Sequence, residues 1–209
     1  IVAKNGSGKS TLGNTLLGAP FITITGGSLL WQDKDITNLP THERALLGIF
    51  LTFQSPLPLS GVSAMDLFRA ALVTGGHKKY SARELHALVQ QYAEELALPK
   101  EFLQRSLHEG FSGGERKKME ALQAVLFAPE LVIFDELDTG VDVDALKAIT
   151  AFLQKNLPAH TARIFITHSH KLLSLLAPDQ VVVLKNGSIV ATGGQSLAEQ
   201  IEHTGFEAL

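Results

Sequence analysis

Residues Ile1–Thr11 read I-V-A-K-N-G-S-G-K-S-T, and Leu131–Glu136 read L-V-I-F-D-E. The first stretch fits the phosphate-loop pattern G-x-x-x-x-G-K-[ST] at every defined position except the first, where Ala3 stands. Small residues in such a loop let consecutive backbone N–H groups point inward at the β- and γ-phosphates of a nucleotide, and the helix that follows aims its positive end at them. Asn5, Gly6, Ser7, Gly8, Lys9, Ser10 and Thr11 are therefore candidate nucleotide contacts, with Lys9 as the charge clamp and the Ser10 hydroxyl as a magnesium ligand. Read alone, a Gly- and Ser-rich helix start is also compatible with a tight turn. A loop of this type must follow a buried strand, so Ile1 and Val2 are expected to be the tail of one that starts upstream.

The second stretch places four apolar residues ahead of two adjacent carboxylates. In open α/β sheets ligands sit at the carboxyl ends of the strands. Asp135 is thus a candidate to hold magnesium through water, and Glu136 to polarise a water against the γ-phosphate; the competing reading is a carboxylate pair that caps the next turn. F-S-G-G-E, Phe111–Glu115, marks a helix start with two unobstructed glycine N–H groups and no lysine. Ser112, Gly113 and Gly114 form either an ordinary helix cap or a second anion site that serves a nucleotide bound mainly by another subunit. Gln54 follows the apolar run F-L-T-F, where a neutral amide can reach both magnesium and the attacking water, or else lies on the surface. His168 follows R-I-F-I-T, where an imidazole can hydrogen-bond the γ-phosphate and orient Glu136. Asp142 either caps the helix after it or lies across a dimer seam.

Composition agrees with such a domain. The 209 residues suit one α/β domain with an inserted subdomain better than two independent folds, and 45% hydrophobic with 19% charged residues is ample for a soluble core. Eighteen basic against 21 acidic side chains leave a net charge of −3, with no basic stripe to track a phosphate backbone, so nucleic acid is not expected as a partner. No apolar run approaches the 18 or so residues that cross a bilayer, so no membrane insertion is expected. The lack of cysteine excludes disulfides and thiolate metal sites on this chain and agrees with a cytoplasmic location.

Periodicity predicts a helix over Lys9–Leu17, extended runs at Phe21–Thr25 and Ser28–Gln32, a polar turn at Asp33–Asp35, a short helix near Thr41–Leu47 and an extended run Gly48–Gln54. The segment 62–105 reads as helical throughout, with a capping box at Ser81 and Glu84, and is taken as an insert into a core formed by 1–61 and 106–209. A second capping box, Ser112 and Glu115, opens a helix to Phe127. The runs Leu131–Asp135, Arg163–Thr167 and Gln180–Leu184 alternate with helical stretches, as in a parallel sheet. Asn186-Gly187 signals a hairpin, and Ser196 with Glu199 a cap on a last helix.

In the order phosphate loop, glutamine, S-G-G-E, D-E and histidine, the chain resembles the ATP-binding cassette (ABC) family over nearly all its length. The resemblance implies a P-loop NTPase fold with a mostly parallel core sheet and an inserted helical subdomain. It also implies ATP and Mg2+ as ligands and a head-to-tail dimer with a second ABC subunit, each ATP lying between one phosphate loop and the opposite signature motif. Ser112, Gly113 and Gly114 would then be the signature, Gln54 the Q-loop, Asp142 the D-loop and His168 the switch histidine. F-S-G-G-E-R-K-K, D-E-L-D-T-G-V-D-V-D-A-L and F-Q-S-P-L-P-L-S-G-V-S resemble more closely the SufC-type ATPases of iron–sulfur cluster assembly, where transporter cassettes carry D-E-P-T-S-A-L-D. That likeness implies a cytosolic ATPase, catalysing hydrolysis through Glu136, His168, Lys9 and Gln54 with magnesium on Ser10, Gln54 and Asp135, that remodels SufB/SufD-type scaffold subunits. A transporter subunit coupled to a permease and a nucleotide-gated clamp with little turnover are the competing functions. Ala3 and Leu137 depart from the pattern; a left-handed backbone at Ala3 would cost about 1–2 kcal/mol. The family further implies an antiparallel β-subdomain, an adenine-stacking aromatic and a first core strand upstream of Ile1, and poor turnover without them.

Overall fold

A computed structural model of the chain describes residues 1–4, 6–75 and 80–204. It contains the helices α1 (Lys9–Leu17), α2 (Thr41–Leu46), α3 (Ala64–Thr74), α4 (Ala82–Glu95), α5 (Gly113–Phe127), α6 (Val143–Asn156), α7 (His170–Leu176) and α8 (Gln195–Thr204). The strands are β1 (Leu30–Trp31), β2 (Lys34–Asp35), β3 (Ile49–Thr52), β4 (Leu59–Ser63), β5 (Ser106–Leu107), β6 (Leu131–Asp135), β7 (Ala162–Ile166), β8 (Val181–Lys185) and β9 (Ser188–Gly193). The chain divides into two compact units, Ile1–Leu51 with Leu131–Asp138 and Ala162–Leu209, and Thr52–Glu130 with Thr139–Thr161.

The first unit is built on a sheet. Strands β3, β6 and β7 lie side by side in that order, with β6 and β7 parallel. Val2 makes parallel bridges to Thr167 on one side and Val183 on the other, through Val2 N to Val182 O at 2.8 Å and Leu184 N to Val2 O at 3.0 Å. The order is therefore β3-β6-β7, then Val2, then β8 and its antiparallel partner β9. All five residues of β6 are buried, which is why it reads as an unbroken apolar run and not as an alternation. Ile36, Ile49, Leu51, Leu131, Ile133 and Ile166 form one core cluster, against which Leu16 and Leu17 of α1 pack. A second cluster joins Val2, Val181 and Val183 to Leu173 of α7 and to Ala198 and Ile201 of α8. Each such aliphatic burial contributes about 1.5–3 kcal/mol. Because Ile1–Ala3, β6 and β7 run parallel, their carboxyl ends share one edge, and the three loops that leave that edge begin at Lys4, Glu136 and His168.

The second unit is mainly helical. Leu85, Val89 and Ala93 line the buried stripe of α4, whose Tyr92 meets Phe152 of α6 edge-on at 5.5 Å. Phe68 of α3 is fully buried and meets Phe127 of α5 in the same way at 6.1 Å. Helix α5 is buried on every side from Met119 to Leu126, so it has almost no solvent face. Both expected capping boxes are present: Ser81 and Glu84 bond each other's backbone N–H, as do Ser112 and Glu115.

Four local expectations need correction. Phe21–Thr25 forms no strand, because its backbone finds no ladder partner and Phe21 is 74% exposed. The turn of the first hairpin is Gln32–Asp33, both left-handed, and Lys34–Asp35 is already its second strand. The segment 62–105 begins on a strand, β4, and breaks between α4 and a 3₁₀ turn at Lys100–Leu103. Ser196 lies inside α8, which starts at Gln195 on the Gly194 carbonyl. Residues 76–79 of the expected helical insert lie outside the described residues.

Candidate functional site

The phosphate loop leaves the sheet at Ala3 and closes at Lys9. Gly6 and Gly8 take left-handed backbones (φ 80° and 94°) that side chains disfavour, and Gly8 is the N-cap of α1. That helix has no side-chain cap and no acid in its first turn, whereas α3, α4, α5 and α6 are all capped by Ser or Asp oxygens. Its leading N–H groups are thus left for an anion, which fits a phosphate. Gly187 of the β8–β9 turn donates to Ser7 O at 3.1 Å and braces the loop from outside. Asn5 lies outside the described residues; Ser10 is half-buried and Thr11 exposed on the first turn of α1.

Lys9 is 4% exposed, and its ammonium donates to Lys4 O at 2.9 Å while standing 3.9 Å from Glu136 Oε1. His168 Nδ1 lies 3.4 Å from the same carboxylate oxygen. Glu136 itself is 5% exposed and has φ 50°, a strained backbone for a non-glycine residue, held by its N–H bond to Ile166 O at 2.8 Å. Asp135, at the end of β6, is 4% exposed beside it. The structure therefore brings Lys9, Asp135, Glu136 and His168 together at one sheet edge. Thr167 and Asp138, which the sequence reading passed over, support them. Thr167 Oγ1 donates to Asp138 Oδ1 at 2.9 Å and accepts from Ser169 N at 2.9 Å, bracketing His168 with two bonds. Their signal in the sequence was only that polar residues stand next to those already chosen.

Among the described residues no group of three His, Asp or Glu side chains forms a metal cage. Magnesium in nucleotide sites is held through one or two protein oxygens plus substrate phosphates. Ser10 and Asp135 supply oxygens of the right kind. Ala3 is buried and does not take a positive φ, so its methyl carries no left-handed strain and the substitution costs the loop little. Leu137 is fully buried and serves as a core residue.

The remaining candidates belong to the second unit. Gln54 is exposed and follows the end of β3. The residue before it is gripped from α5: Phe53 N donates to Glu120 Oε1 at 2.6 Å, and Lys117 Nζ donates to Phe53 O at 2.8 Å. Ser112 is the N-cap of α5, and Gly113 and Gly114 open the helix. A Cβ on Gly113 would lie 2.9 Å from the Gly140 carbonyl oxygen, so the two backbones approach closely there. Gly140 has φ 74°, where the alanine of transporter cassettes would be strained. Asp142 caps α6 by accepting from Ala145 N at 2.8 Å, as its sequence position suggested. Behind the Ser112 turn, Phe111 stacks on Phe102 at 4.3 Å and meets His108 edge-on at 5.8 Å. His108 is buried with no hydrogen-bond partner on Nδ1, and burial, with Arg116 and Lys117 adding to it, pushes its pKa down to about 4.

A glycine loop before an uncapped helix, a buried lysine beside a glutamate at one strand end and a histidine at the next are the features of a P-loop ATPase of the ABC type. A family model described as ABC transporter matches residues 1–139, and the chain belongs to that family. A probable ATP-dependent transporter of Synechocystis is 40% identical over 100% of this chain and 83% of its own length. The iron–sulfur cluster assembly protein SufC of Plasmodium berghei is 37% identical over 99% of this chain and 58% of its own. Among solved structures, the cassette MJ1267 of an ABC transporter superposes with a TM-score of 0.75 at 27% identity, covering 97% of this chain and 83% of that one.

Proposed function

We propose that this chain is a magnesium-dependent ATPase subunit that drives conformational change in a SufB/SufD-type scaffold during cytosolic iron–sulfur cluster assembly. The observation that carries the ATPase reading is the convergence of Lys9, Glu136 and His168 beside the phosphate loop. The loop N–H groups and the Lys9 ammonium take the charge of the β- and γ-phosphates. Ser10 and Asp135 would hold magnesium, which when bound would offset charge on the phosphate oxygens, and Gln54 is proposed as a further ligand from its sequence position alone. Glu136 accepts a proton from the water whose oxygen attacks the γ-phosphorus, and the bond to the ADP oxygen breaks. His168 bonds the γ-phosphate and fixes the Glu136 carboxylate, while Thr167 and Asp138 hold the His168 loop. Ser112, Gly113, Gly114 and Asp142 face a second cassette in a head-to-tail dimer, Ser112–Gly114 on the nucleotide of that cassette and Asp142 at the seam.

Glu136→Gln tests the chemistry: ATP affinity should persist while turnover falls by roughly 100-fold or more. Undiminished turnover would remove Glu136 from the reaction. The cluster-assembly role draws on the SufC relative and on the absence of cysteine, which leaves this chain to supply motion and no thiolate ligands. The name of the Synechocystis relative favours a second reading, a cassette coupled to a membrane permease. No helix among the described residues is long and apolar enough to cross a membrane. Native pull-down separates the two, with scaffold subunits recovered in one case and an integral membrane protein in the other.

A further inference from the structure

Helix α5 carries three buried polar residues, Lys117, Glu120 and Gln123, spaced three apart along one stripe of a helix that is otherwise apolar in its middle. Lys117 and Glu120 are 2% and 3% exposed and lie 3.4 Å apart as an ion pair. A buried pair of this kind contributes little to stability compared with apolar residues of the same size, so its presence points to what the pair grips. It grips one residue: Glu120 takes the Phe53 N–H at 2.6 Å, and Lys117 donates to the Phe53 carbonyl at 2.8 Å. Both are charge-assisted bonds, the strong class, made from buried side chains to a half-exposed residue. Phe53 is otherwise a poor anchor, since it is 52% exposed. The next residue is Gln54, and the helix that supplies both grips begins at Ser112–Gly113–Gly114.

We propose that the Lys117–Glu120 pair is a positioning device that sets the Gln54 backbone from the signature helix, so that a shift of α5 reorients Gln54. Lys117 and Glu120 contact Phe53 and each other. Both act through the Phe53 peptide, and the inference rests on the role given above to Gln54.

The test uses the full chain and compares the charge-free double variant Lys117→Met/Glu120→Leu, which leaves no orphaned buried charge, with the conservative Lys117→Arg, which keeps a donor. Hydrogen exchange at the Phe53 and Gln54 amides should accelerate by about ten-fold or more in the double variant, with β6 unchanged, and Lys117→Arg should restore most of the protection. ATPase turnover should fall by about ten-fold, with KM for ATP shifted by less than about two-fold, and should fall no further when Gln54→Ala is added. Unchanged exchange at Phe53 and Gln54 would overturn the proposal. So would losses from the double variant and Gln54→Ala that simply add, because the pair would then act through general packing. If Gln54→Ala alone leaves turnover intact, the catalytic role of Gln54 fails, and the exchange result by itself decides whether the pair sets the loop.

Discussion

His108 gives the chain a calculable sensitivity to acid. Its imidazole is 4% exposed, without a partner on Nδ1, and close to Arg116 and Lys117, so the folded chain holds it neutral with a pKa of about 4 against an ordinary 6.5. The folded pKa is depressed, so the unfolded chain binds the proton first. The stabilisation is complete above pH 6.5 and is lost as pH falls from 6.5 through about 4. The whole gap corresponds to about 3 kcal/mol at 1.36 kcal/mol per pH unit, of which about 2 kcal/mol is gone by pH 5. His108 has φ 62°, so the control is His108→Asn, which tolerates a left-handed backbone and does not titrate. Urea unfolding followed by far-ultraviolet circular dichroism at pH 7.5 and 5.0 gives the comparison. The parent should lose about 2 kcal/mol more than the variant between the two pH values. Equal losses would mean that His108 is hydrated or protonated in the folded chain and that the reasoning is wrong.

Two further substitutions test particular contacts. Arg44 is 2% exposed and donates to the carbonyls of Thr15 and Leu16 at the end of α1 and of Thr37 and Leu39, at 2.6–3.0 Å. Arg44→Met should cost about 3–5 kcal/mol and Arg44→Lys somewhat less, since one ammonium cannot span four carbonyls; a melting point within about 2 °C of the parent would contradict this. Gly140→Ala places a methyl at φ 74° and should destabilise the second unit by about 1 kcal/mol in chemical unfolding. If the variant were as stable as the parent, the left-handed turn would not be what selects glycine there.

What the sequence disclosed about the site was local. Lys9, Asp135, Glu136 and His168 each follow a buried apolar run, and a parallel sheet brings such run ends to one edge, so their meeting was readable in advance. The Ser112 and Asp142 caps were readable because a cap is written within four residues. Lys117, Glu120, Arg44 and Thr167 were not, because their partners are backbone atoms or side chains up to 67 residues away. Nothing in their own neighbourhood distinguishes them from surface polar residues. Phe21–Thr25 failed for the opposite reason: its β-branched residues favour a strand, but a strand exists only if another lies beside it.

The left-handed backbone at Glu136 sets stability against activity at a single residue. Glycine there would relieve the strain and remove the carboxylate that the proposed reaction needs. Heat resistance at position 136 is thus set by two opposed effects, relief of the left-handed strain and loss of the Lys9 and His168 contacts, whereas activity depends on the carboxylate alone.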